Sequence, residues 1–236
     1  MTSRRVLRLI FAAVAVPGLA YGTFAGLTWL RYGRTRPGEQ AADELLDRVL
    51  PNAEVDERHE IRVAAPPKVT LDVARALDLQ KSPLVGVIFN LRTLPSRLRG
   101  QPVRASSSPG LLAETEALGW GLLAEDPDRE IVMGAVTQPW KPVVKFQALP
   151  PAEFAAFQTP GYAKVAWTLA AEPLNDGGAV FQTRTRVATT DPEARRLFRR
   201  YWSLLSAGIL VIRYEALRLV KAEAERKNQG GVHGVD

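Results

Sequence analysis

Cysteine is absent from the 236 residues, which excludes a disulfide framework, a thiolate nucleophile, a CxxC redox pair and cysteine-ligated zinc together. Histidine is almost absent, with only His59 and His233, and His233 stands in a Gly-rich tail, so no Ser/His/Asp grouping can be assembled. Clustered metal ligands are missing as well. Glu125, Asp126, Asp128 and Glu130 surround a hairpin turn, where solvation accounts for them, and neither a metal nor a cofactor is expected. A surplus of charge is lacking over most of the chain. The formal net charge is +6, but residues 1–36 carry Arg4, Arg5, Arg8, Arg31, Arg34 and Arg36 and no acid. The other 25 of the 31 Lys and Arg are balanced by all 25 acids, and a neutral body offers no counterion-displacing surface for nucleic acid. What remains is a globular composition, 46% hydrophobic and 24% charged, long enough to bury a sizeable core.

The charge-poor stretch at the N-terminus is the most distinctive segment. From Leu9 to Leu30 there are 22 residues without a charge, which as a helix would reach about 33 Å, close to a bilayer core of about 30 Å. Trp29 and the flanking arginines suit interfacial anchoring. The expectation is a single-pass N-terminal membrane anchor over residues 9–30, with the side of the folded domain undetermined. Pro17 and the small residues Gly18-Leu19-Ala20 give the alternative, a cleaved signal segment and a secreted body.

Beyond a linker at Arg34 to Glu39, residues 40–50 predict a short helix ended by Pro51-Asn52. Arg58 to Val63 alternates charged residues with His59, Ile61 and Val63, the period of a strand with one solvated face. Lys68 to Leu79 and Ser82 to Leu98 predict two helices, and Gly100 to Gly110 a long loop. Strands follow at Trp120 to Glu125 and Glu130 to Thr137, joined by Asp126-Pro127-Asp128, and at Val143 to Gln147. A short helix at Pro151 to Phe157 precedes a longer hairpin, Tyr162 to Glu172 and Ala179 to Thr189, turned by Asn175-Asp176-Gly177-Gly178. Gly119-Trp120-Gly121-Leu122-Leu123-Ala124 spells G-x-G-x-x-A but opens a strand instead of leaving one, so it reads as chance. Asp191-Pro192-Glu193 is a strong helix start. The helix it opens, Pro192 to Lys227, keeps an apolar stripe at Phe198, Tyr201, Trp202, Leu205, Ile209, Ile212, Ala216 and Leu219. Near its start, Arg195, Arg196, Arg199 and Arg200 form an outward basic cluster.

This element order resembles the SRPBCC, or START-like, superfamily, particularly its polyketide cyclase/dehydrase and lipid-transport branch. The likeness is carried by His59-Glu60-Ile61-Arg62-Val63-Ala64-Ala65-Pro66, by Gly161-Tyr162-Ala163-Lys164-Val165-Ala166-Trp167, and by Thr183 to Pro192 leading into Arg199-Arg200-Tyr201-Trp202. It covers about residues 45–226. The resemblance implies an α+β helix-grip fold, a curved antiparallel sheet wrapped around a long C-terminal helix, here preceded by the N-terminal transmembrane helix. The chain then divides into an anchor or signal segment (1–36), a linker with a short helix (37–55), the helix-grip domain (56–227) and a flexible tail (228–236). At Arg184 the resemblance leads one to expect an acid.

The resemblance further implies an apolar cavity for a lipid or another hydrophobic small molecule. Strand parity proposes its lining: His59, Ile61 and Val63 on the first strand, Trp120 and Leu122, Met133 and Ala135, Val165, Trp167 and Leu169, then Phe181, Thr183 and Thr185. Phe198, Tyr201, Trp202 and Leu205 of the long helix would close it. Two uses of such a cavity compete. One is membrane-tethered binding or transfer of the hydrophobic molecule. The other is a cyclase- or dehydratase-like enzyme in which His59 or Tyr201 moves protons. A structural partner in an envelope assembly is the third possibility, and a filled interior would indicate it.

Overall fold

The computed structural model describes residues 2–34, 43–79, 82–83, 85–86 and 110–232, and among these the side chains of residues 15–230. Helix α1 (Thr2–Arg31) is followed by α2 (Glu44–Val49), strand β1 (Val55–Val63), α3 (Pro67–Arg75) and α4 (Leu111–Ala117). Then come β2 (Gly121–Asp126), β3 (Glu130–Thr137), β4 (Phe146–Gln147), α5 (Pro151–Ala156), β5 (Ala163–Pro173), β6 (Ala179–Thr189) and α6 (Pro192–Val232). The six strands form one antiparallel sheet in the order β1-β6-β5-β3-β2, with β4 added to β3. This is an α+β fold, a curved antiparallel sheet with a long C-terminal helix. Most of the helix expected over Ser82–Leu98, of the loop over 100–110 and of the linker lies outside the described residues, as does His233.

Local chemistry explains the element ends. The Asp191 carboxylate accepts hydrogen bonds from the backbone N–H groups of Glu193 and Ala194 at 2.8 and 2.9 Å, so two of the unpaired donors that begin α6 are satisfied. Its second oxygen takes the Gly161 N–H, tying the helix start to the entry of β5. The β5–β6 turn uses Gly177 at φ +82, and Gly178 cannot carry a side chain because a Cβ there would stand 2.7 Å from the Val63 carbonyl oxygen. Strand Val143–Gln147 shortens to Phe146–Gln147. At the C-terminus α6 runs five residues past the expected end at Lys227, so residues 228–232 are helix and not tail.

The N-terminal segment requires a larger correction. Among the described residues no helix is long and apolar enough to cross a membrane, so the single-pass anchor, the membrane partner and the membrane location expected from residues 9–30 are not supported. Helix α1 is long, but from residue 15 onward Pro17, Gly18, Tyr21, Gly22, Thr23, Gly26 and Thr28 dilute its apolar character. It lies against α6 of the folded domain. Arg199 donates to the Trp29 carbonyl at 3.0 and 2.6 Å and stacks over the Trp29 ring at 4.3 Å, while the Tyr21 hydroxyl reaches the Leu204 carbonyl. A run without charges sets the length of a helix but not its partner.

The sheet is covered on both faces. On one face α3 and α6 pack with Val63, Ile131, Met133, Leu169 and Phe181, and Phe198 and Trp202 of α6 pack with Val55, Ala163 and Val187. On the other, α2 and α5 bury Leu46, Leu50 and Phe154 against Val132, Val136 and Ala166. Alternation along the strands produces this division, since neighbouring side chains of a pleated strand point to opposite faces.

Candidate ligand cavity

Between the sheet and helices α3, α4 and α6 lies a cavity of about 320 Å³, at the small end of the range of ligand pockets, about 300–1,000 Å³. Strand β5 contributes Val165, Trp167 and Leu169, and β6 contributes Phe181, Thr183 and Thr185. Trp120 lines it from just before β2, and Phe198, Tyr201 and Trp202 line it from α6. Aromatic contacts fix the walls: Trp120 meets Phe146 at 4.9 Å and Trp167 edge-on at 6.3 Å, while Phe198 stacks on Trp202 at 5.8 Å. Such offset and edge-on pairs hold rings in defined orientations, so the space is bounded by interlocked side chains.

Seven residues proposed for the lining lie elsewhere. His59 faces the helices, as its parity requires, but opens into a separate cleft between α1, β1 and α6, where its ring meets Tyr214 edge-on at 5.2 Å. Ile61, Val63 and Met133 pack into the core with α3 and α6, and Ala135 is fully buried. Leu122 is 46% exposed on the edge strand β2, beyond the cover of the helices. Leu205 is 43% exposed, because the lining along α6 passes from Trp202 directly to Ile209. In the other direction, parity and periodicity miss several lining residues. Val187 continues the β6 alternation, and Ile209, Ile212 and Ala216 continue the α6 stripe, so those signals were present. Ala74, Leu77, Leu111 and Thr115 arrive from α3 and α4, and their contribution depends on long-range packing that no local pattern encodes.

One lining residue is an arginine. Arg213 of α6 has a side chain only 11% exposed, and its Nη1 donates to Glu57 Oε2 of β1 at 3.3 Å. Burial lowers the Arg213 pKa from its ordinary range, and the Glu57 charge opposes that shift. Glu57 itself lines the cleft under α1, not the cavity. Two of the lining hydroxyls are already engaged: Thr115 donates to the Leu111 carbonyl at 2.6 Å and Thr137 to the Lys145 carbonyl at 2.8 Å.

The opposite face of the same strands is ionic. Arg184, which stands where an acid was expected, points away from the cavity, is 4% exposed, and grips Asp56 with Nε and Nη2, both at 2.6 Å. Arg186 shares Asp56 at 3.0 Å and reaches Asp47 and the Leu50 carbonyl of the α2 segment. Burial works against the Asp47 charge, but the hydrogen bonds from Arg186 and the Asp43 backbone and the charges of Arg186 and Arg184 together outweigh it and lower the carboxyl pKa. At the start of β3, burial together with Asp43 and Glu172 pushes Glu130 up to about 8. The hairpin acids are paired outward, Glu125 with Arg75 and Asp128 with Lys68. Among the described residues no group of three or more His, Asp or Glu stands where a metal ion could be held.

No family model matches the chain, and no curated protein matches it. Solved structures do. A hypothetical protein from Helicobacter pylori aligns with 80% of this chain and 99% of its own at 9% identity and TM-score 0.34. The Zhui aromatase/cyclase from Streptomyces sp. R1128 aligns over 73% and 94% at 15% identity and TM-score 0.29. A structural-genomics protein from Chromobacterium violaceum aligns over 72% and 96% at 12% identity and TM-score 0.28. These are distant likenesses of shape, and they do not assign the chain to a family.

Proposed function

We propose that this protein binds a hydrophobic small molecule in the cavity beneath α6. The observation that supports this reading is a partly open cavity of about 320 Å³ walled by aromatic and aliphatic side chains. Protein interiors otherwise pack to the density of organic crystals, and apolar groups bordering a void forgo dispersion contacts that a guest would restore. A purely structural role would be served better by a filled interior. The carrier reading also needs no proton-moving residue, which matters because His59, one of the two candidates for such a role, opens into the cleft outside the cavity. Native mass spectrometry of the full chain purified from its host tests the proposal. The expected spectrum contains a second population with an added mass that is lost on denaturation and extracts into organic solvent. A bare chain that also takes up no added apolar compound would refute it.

A further inference from the structure

Beside the cavity a second space opens between α1, β1 and α6, a cleft of about 720 Å³ whose lining is not satisfied by the protein's own groups. Ser206 of α6 lines it and is only 3% exposed, yet its hydroxyl has no hydrogen-bond partner among the described residues. A buried hydroxyl left unmet costs free energy that a guest would recover. The charges along the cleft leave one sign over. Glu54, Asp56 and Glu57 line it from the β1 side, and arginines outside the lining already answer them. Arg195 meets Glu54 at 3.7 Å, Arg184 and Arg186 hold Asp56, and Arg213 meets Glu57 at 3.3 Å. With Asp47, which Arg186 also reaches, four carboxylates meet four arginines. Arg31 and Arg34 line the cleft from the end of α1 and form no ion pair among the described residues. A turn at Gly33, φ +72, sets them together: the Gly33 N–H donates to the Glu54 carbonyl at 3.0 Å and the Arg34 N–H to the Arg31 carbonyl at 2.9 Å. Phe24 and Leu27 of α1 and Trp202 and Leu210 of α6 give the same cleft an apolar wall, on which Leu27 is left 46% exposed.

We infer that this cleft is a second binding site, outside the cavity, for a single-chain anionic amphiphile such as a long-chain carboxylate. Its head lies on Arg31 and Arg34, its chain lies against the apolar wall, and the Ser206 hydroxyl is a further donor to it. Two guanidinium forks match a carboxylate head and give charge-assisted hydrogen bonds, the stronger kind. The site does not depend on the cavity being occupied, and the test separates the two. Dodecanoate and dodecyltrimethylammonium, each below its micellar concentration, are titrated by calorimetry into the full chain carrying Ala216→Trp, in which an indole takes up the cavity. One site is expected there, with dodecanoate bound more tightly than the cationic probe by about tenfold or more. Adding Arg31→Gln/Arg34→Gln, at two exposed positions, should abolish that preference. Should Ala216→Trp fail to fold, Arg31→Gln/Arg34→Gln in the otherwise native chain should still remove one dodecanoate site. Dodecanoate uptake by the native chain but not by Ala216→Trp would overturn this inference while supporting the carrier proposal. Equal binding of the two probes to Ala216→Trp, or a dodecanoate preference or site that survives the loss of both arginines, would also overturn it. Selective dodecanoate binding to Ala216→Trp, together with a native chain that takes up no neutral apolar compound, would leave this inference standing without the carrier proposal.

Discussion

The two faces of the central sheet are built from alternate residues of the same strands, yet one is lined by charged side chains and the other by apolar ones around a cavity. On β6, Phe181, Thr183, Thr185 and Val187 face the cavity, while the intervening Arg184 and Arg186 turn to the opposite side and meet Asp56 and Asp47. The ionic face fixes α2 to the sheet through bidentate and shared contacts that require specific geometry. The face that holds the cavity is mainly apolar, with the Arg213–Glu57 pair the one ionic contact described in its wall, and its long covering helix spans the sheet without filling what lies beneath. Stability and binding are thus separated by strand parity, and substitutions on the two faces should have different consequences.

The largest effect is expected from Asp56→Ala. It leaves Arg184 and Arg186, 4% and 6% exposed at their side chains, without their shared carboxylate. Breaking a buried ion pair by removing one partner costs about 3–5 kcal/mol, so chemical denaturation should show a loss of that order. A loss near zero would mean that the ionic face does not hold the sheet and α2 together. Asp191→Ala should cost less. It removes the cap of α6 and loosens the helix that closes the cavity, to be read as faster amide exchange over the first turns of α6 with the back face unchanged.

A smaller, pH-dependent effect belongs to Glu130, whose pKa rises from 4.5 to about 8 in the folded protein. Because the folded state holds this proton more tightly, the stability that Glu130 confers is fully present below its unfolded pKa and is lost as pH rises through about 8. Glu130→Gln cannot ionise and should flatten the decline in stability across that window, measured as melting temperature against pH. The smallest effect on stability is expected from Ala216→Trp on the cavity face. The added indole enters existing space, so the change should cost less than the ~1–3 kcal/mol of overpacking a filled core, while binding should be abolished.

The sequence carried the sheet well and the cavity unevenly. Glu130–Thr137 and Ala179–Thr189 are strands over the predicted spans, because a β-prone run bounded by polar turns leaves a local signature. Central strands β5 and β6 likewise place the predicted side chains at the cavity, for there parity alone decides the facing. Parity fails at the edges. Ile61 and Leu122 have the right orientation, but what a side chain meets at a sheet edge depends on how far the covering helices reach. The same limit applies to α1, where a charge-free run resembled a membrane span although its neighbour is α6. Arg213 was missed for a related reason. An arginine amid an apolar stripe reads as a solvated position until Glu57 of a distant strand is seen beside it.

The most direct test of the central claim is a titration of the neutral fluorophore N-phenyl-1-naphthylamine into the full chain and into Ala216→Trp, with melting temperatures recorded alongside. The account predicts saturable, single-site enhancement of emission in the native protein and its loss in a variant that melts at the same temperature. Equal enhancement in both proteins, or none in either, would contradict it.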